Sequence, residues 1–466
     1  MDLNIELNLS LNLELKPLEV VELNLSLDET KSLTGRSESE EEKRIKKYVR
    51  DNSNSTFSFS RMNFNCEYEY YLTYQKNNRG KDNIYSIMGS LCHDINEKYY
   101  HSQISKEDAL KEFIEKFDNI GIYGVEFPSE KAGKNYRECL TQYYTNIERP
   151  KNLFVTREEN NQDLVEANLK TEEFLWKIFE FGKSNIKIGT YGYADLIHYE
   201  TRLIDGKEEL FYIIGDFKTS SKNDYLGKHQ NKKGRQLVIY AEMLNNIISG
   251  GDLFKQTPNI ELYWNMLKYC NLTINYKVDK LKYLNELKLS DLKSLMPKYN
   301  SEFTGKLKKD FVAELMNYDI ETESKTIYNE GIERNTIAER LKKIFGNYED
   351  SLDLNDLPEH IKNSIKVEDY RITYDYDNTT RLDLYKWMLE QYYKINEMID
   401  MDKFEPTKLG EWYCLNLCGH KHNCQSYKDY KKKLDEETAN AILEGIFALI
   451  TPVITLTEGL WVAIIK

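Results

Sequence analysis

Three residues in the middle of the chain, Asp195, Asp216 and Lys218, have the types and spacing that metal-assisted hydrolysis needs. They lie in GTYGYADLIHYE (189–200) and FYIIGDFKTSSK (211–222), two stretches rich in β-branched and aromatic residues. Between them stands Asp205-Gly206, a dipeptide that favours a tight hairpin turn. A hairpin centred there sets Asp195 directly across from Asp216, with side chains about 5 Å apart on one face. Lys218, two residues beyond Asp216, shares that face. Two carboxylates this close repel each other, and a divalent cation relieves them most simply. The ammonium beside them can orient a water or offset charge on a phosphate, which is the outline of phosphodiester hydrolysis. The plainer alternative is a surface ladder in which Lys218 merely neutralises Asp216. Tyr212, Ile213, Ile214 and Phe217 weigh against it, because they mark a mostly buried strand where an unpaired acid is costly.

Two helical stretches can add to this face. In YSIMGSLCHDINEKYY (85–100), Gly89, His93 and Glu97 recur every four residues on one helical side. Gly89 is expected to admit another backbone closely, and His93 is either a metal ligand or a packed histidine. In GRQLVIYAEML (234–244), Gln236 and Tyr240 bring an amide and a phenol together at the same spacing. Taken in order, G-x-x-x-H, G-x-x-D (Gly192, Asp195), G-D-x-K (Gly215, Asp216, Lys218) and Q-x-x-x-Y resemble the RecB/AddB-like nucleases of the PD-(D/E)XK superfamily. The resemblance spans about 57–245 and returns near 406–430. It implies an α/β fold, a mixed central sheet flanked by helices. It also implies that His93, Asp195 and Asp216 ligate Mg²⁺ or Mn²⁺ with the Phe217 carbonyl, while Lys218 serves the attacking water. Gln236 and Tyr240 would contact DNA or steady the site, and Glu97 would support His93.

Cysteines near the two ends extend the resemblance. Cys414, Cys418 and Cys424 stand in EPTKLGEWYCLNLCGHKHNCQSY (405–427), and Cys66 lies far upstream. One early and three late cysteines resemble the [4Fe-4S] clasp of AddB-like nucleases and of the CRISPR-associated spacer-acquisition nucleases. Four thiolates suit an iron–sulfur cluster or zinc, and joining such distant segments removes chain entropy. The spacing C-x3-C-x5-C departs from the C-x2-C-x5-C of that family, and His420 and His422 keep a mixed zinc site open. Cys92, Cys139 and Cys270 read as buried or free thiols.

The stretch KTSSKNDYLGKHQNKKGRQ carries Lys222, Lys228, Lys232, Lys233 and Arg235 close to Lys218, against a single acid, Asp224. It is a phosphate-capturing loop or a merely solvated one. Residues 287–317 resemble a SAP-type helix-extended-helix DNA-binding module, with Leu289, Leu292, Lys293 and Leu295 before Gly305, Lys306, Lys308 and Lys309.

The elements that must position these residues divide the chain into an expected core at 45–279, a helical insertion at 280–365 and a closing helix with the cysteine segment at 366–430. A leucine-alternating, low-complexity extension (1–44) precedes them and an apolar tail (431–466) follows. The tail's uncharged run, Gly445 to Thr457, is short of the roughly 20 residues that cross a bilayer, so no membrane association is expected. No basic segment followed by an apolar one opens the chain, so a reducing cytoplasmic setting is expected, or the host cytoplasm for a viral protein. Acids outnumber bases 77 to 64, and the net charge of -13 excludes a protein that coats nucleic acid indiscriminately. The expected function is a metal-dependent DNA nuclease, acting as an exonuclease or on single strands, in repair, recombination or viral genome processing. The alternative is a DNA-binding scaffold with a vestigial site. A helicase, replication or recombination partner is compatible with the first reading, although the chain contains no helicase motif.

Overall fold

The computed structural model describes residues 38–149, 169–182, 185–249, 258–346, 357–406 and 411–440. The leucine-alternating segment and most of the apolar tail lie outside them. The charged stretch near residue 40 begins a helix, α1 (Glu40–Asp51), because Ser39 accepts from the Glu42 N–H while Glu42 returns a bond to the Ser39 N–H. Strand β1 (Ser55–Thr56) follows. Helices α2 (Ile84–Tyr100), α3 (Lys106–Asp118) and α4 (Glu130–Asn146) then pack together. Asn83 caps α2, Ser105 caps α3 and Ser129 caps α4.

Strands β2 (Leu169–Phe181), β3 (Ile186–Ile204) and β4 (Lys207–Lys218) form an antiparallel meander. Helix α5 (Gln230–Ser249) crosses to β5 (Asn259–Lys277), which runs parallel to β4. Small helices α6 (Lys280–Glu286), α7 (Leu289–Leu295) and α8 (Lys308–Leu315) come next. They enclose an apolar cluster of their own, with Leu284, Leu292, Phe311 and Leu315. Strand β6 (Ser324–Glu333), helix α9 (Ile337–Phe345) and strand β7 (Ile365–Tyr374) lead to α10 (Asn378–Asp400) and the short α11 (Glu411–Asn416). Both β6 and β7 pair antiparallel with β5, completing a seven-stranded mixed sheet.

This differs from the expected segmentation. The stretch 280–365 is helical only in part, because Thr326, Ile327 and Tyr328 suit an extended backbone and join the sheet as β6. The core does not close at 279, since β6 and β7 are both needed to cover β5. One side of the sheet buries α5 and α10 through Leu237, Tyr240, Leu384, Trp387 and Met388. The other buries α2 and α4 through Met88, Ile95, Leu140 and Tyr144, over Leu196, Ile213 and Phe217.

The hairpin turn takes the form its residues favour, with Asp205 at φ 49° and Gly206 at φ 78°. The β3–β4 ladder runs from Ile204 opposite Lys207 to Leu196 opposite Gly215. One more step of the same register sets Asp195 against Asp216. On β3, Ile188, Ala194 and Ile197 share one core, whereas Leu196 belongs to the other. Side-chain alternation thus changes phase at Asp195. Across from it, between the pairs Thr171–Leu196 and Glu173–Ala194, Glu172 adopts φ 49°. A left-handed glutamate inside a strand is a strained conformation of the kind that gathers at functional sites.

Candidate active site

Asp195, Asp216 and Lys218 converge at the end of the β3–β4 hairpin. Asp216 is only 1% exposed, and the Lys218 ammonium lies 2.6 and 2.8 Å from its two carboxylate oxygens. Burial opposes the charge on Lys218, but the Asp216 carboxylate outweighs it and holds the pKa well above the ordinary lysine range. Asp195 is buried as well, and its Oδ2 accepts from the Phe217 N–H at 2.8 Å. Burial raises its pKa far above the carboxylate range, against the pull of His93 and with the push of Asp216.

Helix α2 delivers His93 to this end of the sheet. Its Nδ1 lies 3.4 Å from Asp195 Oδ2 and 3.7 Å from Glu172 Oε1. Burial lowers its proton affinity, yet Asp195 and Glu172 together push the pKa up to about 9. Three ligand-type atoms, one each from His93, Glu172 and Asp195, lie within 4.8 Å of one another. A half-buried imidazole and glutamate beside the buried Asp195 carboxylate, sharing a proton, fit a divalent cation well.

Glu172 was not visible from the sequence. It precedes the G-x-x-D motif by twenty residues, on a strand whose pairing no short pattern announces. Glu97, expected to support His93, stands one helical turn along α2, while Glu172 is the carboxylate set against the ring beside Asp195. The Phe217 ring meets His93 edge-on at 6.1 Å and stacks on Tyr100 at 5.7 Å, so it fixes the histidine from below.

The glycines of the motifs have different roles. A Cβ at Gly215 would stand 2.6 Å from the Tyr263 ring, and one at Gly192 would touch Tyr240 at 3.4 Å. Gly215 therefore admits a ring that a side chain would displace, whereas a Cβ at Gly192 would make only an ordinary contact. The close approach expected at Gly89 is not found among the described residues, since a Cβ there would meet none of them within 4 Å.

Gln236 and Tyr240 form the expected pair on α5, with Nε2 donating to Oη at 3.1 Å. Burial raises the Tyr240 pKa, as do the nearby Asp195 and Asp216 carboxylates, which places the phenol beside the acids. The basic loop divides in two. Lys232 is exposed and bonds Asn65 at 3.1 Å, and Lys233 lies 5.5 Å from the Tyr225 ring centroid. Lys222 and Arg235 depart from the expected outward orientation. Lys222 donates to the Gly331 carbonyl between the Tyr269 and Tyr370 rings, and Arg235 pairs with Asp383 at 2.9 Å over Trp387. Both anchor secondary-structure elements to each other.

The two cysteine-bearing segments meet. Lys81 N–H bonds the Gly419 carbonyl, Asn83 bonds that of Leu417, and Tyr413 bonds Glu69. Cys66, Cys414 and Cys424 are buried and Cys418 half-buried. Burial pushes the Cys418 thiol up to about 12, helped by Glu69, Cys66 and Cys414. His420 faces Thr73 Oγ1 at 2.9 Å, and His422 meets the Tyr427 ring edge-on, so both rings have other partners. Burial likewise raises Cys92 to about 12 and both Cys139 and Cys270 to about 11, as suits inert thiols.

With that geometry in place, the family comparison is decisive. The model of the PD-(D/E)XK nuclease superfamily matches residues 56–425. The chain belongs to that superfamily. The match begins at Thr56, the second residue of β1, and takes in every later strand, so the helices α6–α8 lie inside a PD-(D/E)XK domain between two of its strands. No curated protein matches the chain significantly. PD-(D/E)XK nucleases use divalent metals such as Mg²⁺ or Mn²⁺, and the His93, Glu172 and Asp195 group is a candidate metal site of this member. Among the described residues, no helix is long and apolar enough to cross a membrane.

Proposed function

We propose that the protein is a metal-dependent deoxyribonuclease that hydrolyses phosphodiester bonds at the Asp195–Asp216–Lys218 cluster. The observation that carries this is the convergence of two buried acids, a charged lysine and His93 with Glu172 at one end of the hairpin. His93, Glu172 and Asp195 would hold Mg²⁺ or Mn²⁺, with Asp216 alongside. Such a cation, when bound, supplies a lowered water pKa and offsets charge on the phosphate. Lys218 remains an ammonium against Asp216, so its task is to orient the attacking water and neutralise the phosphate rather than to remove a proton. Tyr240, braced by Gln236, presents a hydroxyl beside the acids for a phosphate oxygen. Lys232, Lys233 and the SAP-like helices α7 and α8 supply positive charge for the DNA backbone.

The test is Mn²⁺- or Mg²⁺-dependent degradation of labelled single- and double-stranded DNA. Asp216→Ala and Lys218→Ala should each abolish it. Wild type that leaves DNA intact, or variants that cleave equally, would refute the assignment. Exonuclease action in repair, recombination or viral genome processing, with or without a helicase, belongs to the same proposal.

For Cys66, Cys414, Cys418 and Cys424 we infer a [4Fe-4S] cluster. Its support is the meeting of early and late cysteines while His420 and His422 are engaged elsewhere. Iron and sulfide in anaerobically purified protein are expected, and zinc without sulfide would overturn the cluster.

A further inference from the structure

Beside the candidate metal site, strands β2 and β3 carry a strip of four aromatic side chains that the proposed chemistry does not use. Phe174 pairs with Tyr193, and Trp176 with Tyr191. The Phe174–Tyr193 pair stands two residues from Glu172 and Asp195, about 7 Å along the strands. All four side chains are half-exposed, and the Tyr193 hydroxyl accepts from Lys46 at 3.4 Å. Phe174 lies 5.4 Å from Tyr193 and 6.2 Å from Tyr191, and Trp176 meets the exposed Tyr48 of α1 at 5.7 Å. The rings therefore form one row that leads away from the acids.

Over that row lies α1, whose face there carries Lys46 together with Glu42 and Glu38. The Lys46 ammonium sits 5.2 to 5.5 Å from the centroids of Phe174, Tyr191 and Tyr193, with Glu38 as its ion partner at 2.5 Å. Arg44, Lys47 and Arg50 project from the same helix and are exposed. A row of half-exposed rings bordered by cations is the combination that binds single-stranded nucleic acid. Bases stack on the rings and the cations take the phosphates. Duplex DNA cannot use it, because paired bases present no free faces.

We propose that Phe174, Trp176, Tyr191 and Tyr193 form a base-stacking track that leads a single DNA strand to the metal site, with α1 neutralising its backbone. The track selects unpaired over paired DNA and so defines the substrate class of the proposed nuclease, on which it rests. Lys46 holds the rings in line and exchanges Glu38 for a phosphate when the strand enters.

Binding of fluorescein-labelled oligothymidine and of a blunt duplex is measured by anisotropy in the full-length Asp216→Ala protein, where cleavage cannot confuse the reading. Phe174→Leu and Tyr193→Leu should each weaken single-strand binding about tenfold. Duplex binding should be unchanged, and Tyr193→Phe should restore the loss. Full single-strand affinity in the folded Phe174→Leu/Tyr193→Leu double variant would overturn the track, as would equal losses for duplex. If these variants do not fold, photocrosslinking of 5-iododeoxyuridine DNA to the Asp216→Ala protein decides. Crosslinked peptides from 173–177 or 190–194 support the track, and crosslinks exclusively elsewhere refute it. Because binding is read without cleavage, failure of the track and failure of the nuclease assignment remain distinguishable.

Discussion

At the scale of single residues, the site depends on carboxylates whose charge the fold makes costly. Asp195 is buried beside Asp216, and the expense is met by Lys218 on one side and protonated His93 on the other. Glu172 adds a third acid from a strained backbone, a conformation that persists only if the surroundings over-determine it. Glu172→Gln keeps the shape but removes the charge. It should raise the Mn²⁺ concentration needed for half-maximal cleavage by about tenfold or more, within the range for disturbing a metal shell. Cleavage rates titrated against Mn²⁺ check this, and an unchanged half-saturation would remove Glu172 from the site. Asp195, Asp216 and Lys218 were legible beforehand because a two-residue turn sets strand register, and register sets faces. Glu172 was not, because its partner strand is reached across residues that no local pattern ties to it.

Among the elements, α5 does the most to hold the site, because it carries the Gln236–Tyr240 pair toward the acids and a buried anchor two residues further along. Glu242, 0% exposed, is held by Lys177 from β2, Arg381 from α10, and the hydroxyls of Tyr376 and Tyr385 at 2.9 Å. Burial penalises this carboxylate, yet the two cations and their hydrogen bonds lower its pKa below the ordinary range. Removing it leaves two partly buried cations without their acid. Glu242→Ala should therefore cost about 3–5 kcal/mol at neutral pH, measured by urea unfolding. A depressed folded-state pKa gives stability that is fully present above the ordinary carboxylate range and is lost as pH falls through the folded value. The gap between wild type and variant should accordingly narrow below about pH 4. A gap that stays constant with pH would contradict the ionic origin.

For the whole molecule, the decisive contact joins residues 66–83 to 411–424. Gly80 and Gly419 lie backbone to backbone, and a Cβ on Gly419 would stand 2.6 Å from the Lys81 carbonyl oxygen. Gly419→Val should separate the two segments, increase proteolytic cleavage within them and lower iron content together, whereas a purely local role would change neither. The net charge of -13 also reads differently on the folded chain. Acids cluster at the site and along α1, while Arg44, Lys47, Arg50, Lys232 and Lys233 stand at surfaces near the expected DNA path. DNA affinity should then fall steeply with salt, by several-fold for each doubling, when anisotropy is followed across a salt series. A flat response would argue against phosphate capture by these cations.

What the amino-acid order determined by itself was local. The Asp205-Gly206 turn, the alternation around it and the helical spacings of His93 with Glu97 and Gln236 with Tyr240 each follow from backbone geometry over a few residues. Four such fragments in order also sufficed to indicate the superfamily. Only the tertiary structure decided how the fragments meet. It inserted Glu172, completed the sheet with β6 from a stretch that reads as helical and with β7 beyond it, and turned Lys222 and Arg235 inward. It also brought Cys66 to the late cysteines and, among the described residues, left open the space that a side chain at Gly89 would fill. The physical reason is the range of the forces involved. Turn and helix preferences act between adjacent residues and leave a period in the sequence, whereas pairing and burial between distant segments are settled by which surfaces fit, and fit has no period.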